Sequence, residues 1–152
     1  MWLTSARSER GERPVAPSVT VEWEGDLKFT ATNERSVSMT MNATDAGGRP
    51  AGITPMELLL MALGGCTGID VVLILKKQRQ KLERLTLNVT GRRREEQPRY
   101  YEQIHVEYVL KGSGLDEKKL QRAIQLSEEK YCSVSAMLKN RAKMTSSYRI
   151  EE

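Results

Sequence analysis

Two thiols and one carboxylate carry the chemistry this sequence offers. Cys66 lies in TPMELLLMALGGCTGID, residues 54–70, and Cys132 lies in EKYCSVS, 66 positions later. A thiol is a strong nucleophile only as the thiolate. The plainer alternative for either residue is a small buried apolar side chain, which free cysteine often is. Glu57 is the acid that opens the same apolar stretch. One histidine and two cysteines, at no ligand spacing, predict no metal site. No motif calls for a cofactor.

The element that must position Cys66 is a helix. Thr54 suits its N-cap, Pro55 its first position and Glu57 its third, a T-x-x-E capping box that explains Glu57 structurally. The helix is expected to run to KKQRQK, whose cations complement the negative end of its dipole. Gly64, Gly65 and Gly68 each weaken it by up to ~1 kcal/mol relative to alanine, which points to close packing around the thiol. Burial disfavours a thiolate, so a reactive Cys66 needs a cation beside it. Arg49 and Arg35 are the candidates, neither in clean register. Glu57 and Cys66 are nine residues apart, on opposite sides of a straight helix and about 13 Å apart along its axis. If Glu57 serves a thiol, it serves that of a second copy of the chain. Asp70, one turn beyond Cys66, would oppose a thiolate it faced, and is expected to be a hydrogen-bonded buried polar group.

Around that helix the pattern alternates. VTVEWEG, DLKFTAT and SVSMTMNA read as a three-stranded antiparallel meander, with breaks at Gly25 and at Asn33-Glu34. After the helix come two long strands around GRRREEQPR. A second amphipathic helix follows, capped at Leu115 or nearby, with Leu120, Ala123, Ile124 and Tyr131 near one face. CSVSAML is a short helix or turn, with Cys132 at its N-terminal end, where the dipole favours a thiolate. AKMTSSYRIEE closes as a strand, and His105 is read as an ordinary strand residue. Strands in hairpin blocks between helices predict an α+β fold. The central helix is apolar on nearly every face, and one sheet covers one face only, so a homodimer is expected.

The chain has 152 residues, 29% of them charged, with a net charge of +4. That fits a flexible tail over 1–18 and a single domain over 19–152. The small, spread charge predicts no nucleic-acid partner, and GRRREEQPR reads as a solvated connection. The apolar run from Leu58 to Ile69 is too short to span a membrane, and no signal peptide is seen, so a cytoplasmic protein without membrane contact is expected.

TPMELLLMALGGC paired with a downstream cysteine in EKYCSVS resembles the OsmC/Ohr family of thiol-dependent hydroperoxide reductases and their relatives. GGCTGIDVV and RREEQPR are similar to a less characterised OsmC-like branch. The resemblance covers about residues 19–150. It implies an intertwined homodimer with two sites at the subunit interface. Cys66 would be the peroxidatic thiol, Cys132 the resolving one and Glu57 the motif glutamate. The substrate would be a small hydroperoxide, organic rather than hydrogen peroxide, and an external dithiol would be the reductant. The alternative is a non-enzymatic protein of the same fold that binds a hydrophobic ligand or senses oxidants through a disulfide.

Overall fold

Val19, Val21 and Trp23 alternate with polar residues, and the chain there is extended. In the computed structural model, which describes residues 17–43, 50 and 52–151, the first strand β1 is Val19–Trp23. It pairs antiparallel with β2, Phe29–Asn33, which pairs antiparallel with β3, Ser38–Met41. The expected meander is present. Its first reversal needs positive φ at Gly25 (101°) and Asp26 (45°). In its second, the Asn33 carboxamide accepts from the backbone N–H groups of Arg35 and Val37. The predicted tail lies outside the described residues up to position 16. Ser18 is tied to Glu34 through its N–H and its hydroxyl, at 2.8 and 3.0 Å.

The chain divides into two compact units, residues 1–54 and 55–152, and the thiols belong to the second. That unit opens with α1, Pro55–Lys77, which starts where the proline predicts. Lys76 and Lys77 stand in the last turn. The helix stops there and does not reach Lys81, because Arg79 adopts a left-handed φ of 58° and turns the chain into β4, Lys81–Arg93. The apolar run does not end at Asp70 either. Val71–Leu75 continue it, so α1 is long and apolar enough to pass for a membrane span by composition. One side of it enters the core. Leu63, Thr67, Gly68, Val71 and Leu75 are buried along one side, and Leu63, Val71 and Leu75 cluster with Ile104, Tyr108, Leu110 and Leu120.

β4 pairs antiparallel with β5, Tyr101–Ser113. The last strand, β6, Lys143–Glu151, corrects the expectation of an antiparallel sheet, since it lies parallel to β5. A parallel neighbour needs a crossover, and the helices after β5 supply it. The second helix, α2, Glu117–Leu126, is capped by Asp116, whose carboxylate accepts from Lys119 N–H at 3.1 Å. It does not continue to Tyr131 as an α-helix. A π-turn, Ser127–Tyr131, follows, closed by Cys132 N–H donating to Ser127 C=O at 2.8 Å. The wider turn rotates Tyr131 off the apolar face, and it is exposed. The short helix α3, Ser133–Leu138, starts after Cys132. The element order β-β-β-α-β-β-α-α-β is the predicted one, with the π-turn added.

Candidate functional site at the thiol pair

Cys66 is in the middle of α1 because its turn packs on β4. A Cβ at Gly64 would stand 3.2 Å from Val89, and one at Gly68 3.0 Å from Leu87. A side chain at either position would press on these methyl groups, and glycine lets the helix lie this close to the sheet without that. Gly65 meets nothing within 4 Å, so close packing accounts for two of the three glycines. Cys66 itself is half-buried and Cys132 is buried.

Two chain segments far apart in sequence meet here. The Cys66 sulfur, an Asp70 carboxylate oxygen and the Cys132 sulfur all lie within 4.8 Å of one another. Cys132 caps α3 with its sulfur, which accepts from Ser135 N–H at 3.3 Å. That bond favours the thiolate, as the position at a helix start predicts. Burial outweighs it, and contact with Cys66 and the Asp70 charge add to burial. Together they push the Cys132 thiol up to about 11. Among the described groups acting on Cys132 none is a cation.

Asp70 is both hydrogen-bonded, as expected, and turned toward the sulfurs. Ser127 Oγ donates to Asp70 Oδ2 at 2.9 Å. Ser127 Oγ is also 2.7 Å from Thr67 Oγ1, which is 2.7 Å from Tyr108 OH. Each hydroxyl has one proton. Ser127 spends its proton on Asp70, so Thr67 donates to Ser127, while the Tyr108 hydroxyl lies between Thr67 and Glu128. The chain runs one way from Thr67 to the carboxylate. Burial holds the Tyr108 phenol far above its ordinary range, and Glu128 beside it adds to the effect. Thr67, Tyr108 and Ser135 also line a cavity of about 370 Å³ with Glu128, Lys139 and Lys143.

Sequence reasoning missed Thr67, Tyr108 and Ser127. A signal for Ser127 existed: it continues the apolar stripe Leu120, Ala123, Ile124 at helical spacing, yet it is polar and fully buried. Nothing in the sequence marked Tyr108.

The remaining candidates are elsewhere. Glu57 is exposed in the first turn of α1, nine residues before Cys66. It stands near Tyr101, whose hydroxyl donates to Met56 C=O at 2.8 Å. Arg49 lies outside the described residues. Arg35 is exposed in the turn after β2. His105 is bonded through its ring nitrogens to Thr145 and Ser147 of β6, at 2.8 and 2.9 Å, as a strand residue.

The family model described as "OsmC-like protein" matches residues 45–147. The chain belongs to the OsmC family. This OsmC-like chain is 38% identical over 130 residues to Protein YhfA of Escherichia coli, covering 86% of the chain and 95% of the relative. It is 36% identical to a hypothetical protein from Aquifex aeolicus of known crystal structure, with a TM-score of 0.79 over 90% of this chain and 96% of the other. The organic hydroperoxide resistance protein OhrB of Bacillus subtilis shares the fold of this OsmC-like chain, at 19% identity and a TM-score of 0.60, over 88% and 98% of the two chains.

Proposed function

We propose that this protein reduces hydroperoxides, organic ones in preference, through Cys66 and Cys132. The observation that carries the reading is the approach of a half-buried thiol to a buried one, both within 4.8 Å of Asp70. The Cys66 thiolate attacks the outer peroxide oxygen. The O–O bond breaks, the alkoxide leaves and takes a proton, and the sulfur is oxidised by two electrons to the sulfenic acid. Cys132 attacks that sulfur, forming the disulfide and releasing water. An external dithiol reduces the disulfide. The apolar helix around Cys66 favours an apolar substrate.

The reading includes a homodimer. Met61, Ile69, Val72 and Leu73 of α1 are exposed, an apolar face that a second copy would cover. Glu57 would then serve Cys66 of the partner subunit, and Arg49 would be the cation that draws Cys66 toward its thiolate. A hydrophobic-ligand role is less well supported, because the cavity beside the site carries Glu128, Lys139 and Lys143.

The test is turnover of cumene hydroperoxide with a dithiol. Wild type turns over, Cys66→Ser does not, and Cys132→Ser performs one cycle and stops at the sulfenic acid. An inactive wild type, or full activity in Cys66→Ser, removes the peroxidase reading.

A further inference from the structure

We propose that Asp70 is the general base that takes the Cys132 proton as the disulfide closes, and that Ser127 is the residue that positions it. The inference rests on the peroxidase reading for its sulfenic acid, and it concerns the second step only.

The second step has an unmet need. Cys132 must attack as a thiolate, yet the groups that face it disfavour one. Cys66 and Asp70 face it from α1. Tyr108 acts from β5, and Glu128 stands beside Tyr108 from the π-turn. Among the described groups acting on it, only the Ser135 N–H helps. With no cation among these groups to ionise the thiol beforehand, its proton has to leave during the attack. A proton is also needed at the departing oxygen. One group near both sulfurs can do both jobs. Among the described histidines, cysteines and acids, Asp70 is the one grouped with both sulfurs.

The step then balances. The S–S bond forms and the S–O bond of the Cys66 sulfenic acid breaks. The carboxylate receives the Cys132 proton and passes it to the leaving hydroxide, which departs as water. Asp70 ends ionised as it began, and the sole oxidant is the hydroperoxide of the first step.

The surroundings of Asp70 fit this work. Thr67 donates to Ser127 and Ser127 donates to the carboxylate, as its anionic form requires. Ser127 also holds the thiol's backbone, since its carbonyl accepts from Cys132 N–H. One residue at the head of a π-turn therefore sets acid and thiol against each other, and such turns are frequent at functional sites.

The experiment separates the two steps. One equivalent of cumene hydroperoxide is added to reduced wild type, Asp70→Asn and Ser127→Ala. Sulfenic acid is trapped with dimedone, and the disulfide is followed by quenched mass spectrometry. Asp70→Asn is expected to form the sulfenic acid at least as fast as wild type but to close the disulfide about 100-fold or more slowly, within the range of general base catalysis. Its closure rate should climb roughly tenfold per pH unit between pH 6 and 8, following the scarce thiolate, while the wild-type rate stays flat. Ser127→Ala should close about tenfold more slowly with the flat wild-type profile. Closure in Asp70→Asn at the wild-type rate and profile overturns the role of Asp70 and leaves the peroxidase reading standing. If wild type forms no sulfenic acid, that reading falls instead. Diamide, which couples dithiols without peroxide, then shows the same slowing or overturns the role. Should circular dichroism show Asp70→Asn unfolded, Ser127→Ala decides alone: a wild-type closure rate there overturns the proposal.

Discussion

Cys132 is 3% exposed and shares its surroundings with a second thiol and a carboxylate. Its ionisation is therefore delayed from an ordinary 9.0 to about 11, by burial first and then by Cys66 and Asp70. Alkylation of Cys132 by iodoacetamide should rise with pH up to a midpoint near 11. In Cys66→Ser the midpoint should fall but stay above 9, because burial remains while the neighbouring ionisable thiol is gone. An unchanged midpoint would mean that the sulfurs do not sense each other. The sign for stability follows. The folded protein holds this proton longer than the unfolded chain, so reduced protein is undiminished below pH 9 and loses stability as pH rises toward 11. Chemical denaturation of reduced wild type across that window checks it, with Cys132→Ala as the flatter control.

At the scale of elements, the site depends on how α1 lies on β4 and β5. Gly91 of β4 is covered by the Tyr101 ring, and a Cβ there would fall 2.5 Å from the ring carbons. Tyr101 cannot swing away freely, because its hydroxyl holds Met56 C=O in the first turn of α1. Gly91→Ala should therefore cost about 1–3 kcal/mol by overpacking, read as a lowered midpoint in urea. Tyr101→Phe alone loses the tie but keeps the ring, and should cost less, about 1 kcal/mol. A Gly91→Ala protein as stable as wild type would show that the ring has room to move. Much of this level was legible in advance. Pro55 marked the start of α1, period-2 alternation marked the strands, and the Leu120–Ile124 stripe marked α2. The parallel β6 was not, because strand direction depends on where the crossover lands, and no local residue encodes that.

For the whole molecule the open face of α1 decides the state. Ile69 is 63% exposed and Leu73 52%, one turn apart on the side away from the core. Under the proposed dimer this face is covered, so Ile69→Glu should place a charge in an apolar contact and convert a two-chain particle into a single chain by light scattering. Peroxidase turnover should fall with it, since Glu57 would no longer reach Cys66 of the partner subunit. A wild type that scatters as one chain, or an active monomeric Ile69→Glu protein, would remove both the dimer and the shared site.

The sequence by itself determined the element order, the position of both thiols and the family, because these rest on local periodicity, capping and the motif TPMELLLMALGGC. Only the tertiary structure decided that Cys66, Asp70 and Cys132 meet, and that Tyr108, Thr67 and Ser127 line up behind them. Those residues come from α1, β5 and the π-turn, up to 66 positions apart. Their contacts follow from how a helix with glycines at 64 and 68 sinks onto the sheet and how a five-residue turn rotates Cys132 over it. Hydrophobic pattern says which face is buried. It does not say which buried hydroxyl will find which carboxylate, and here that pairing makes the site.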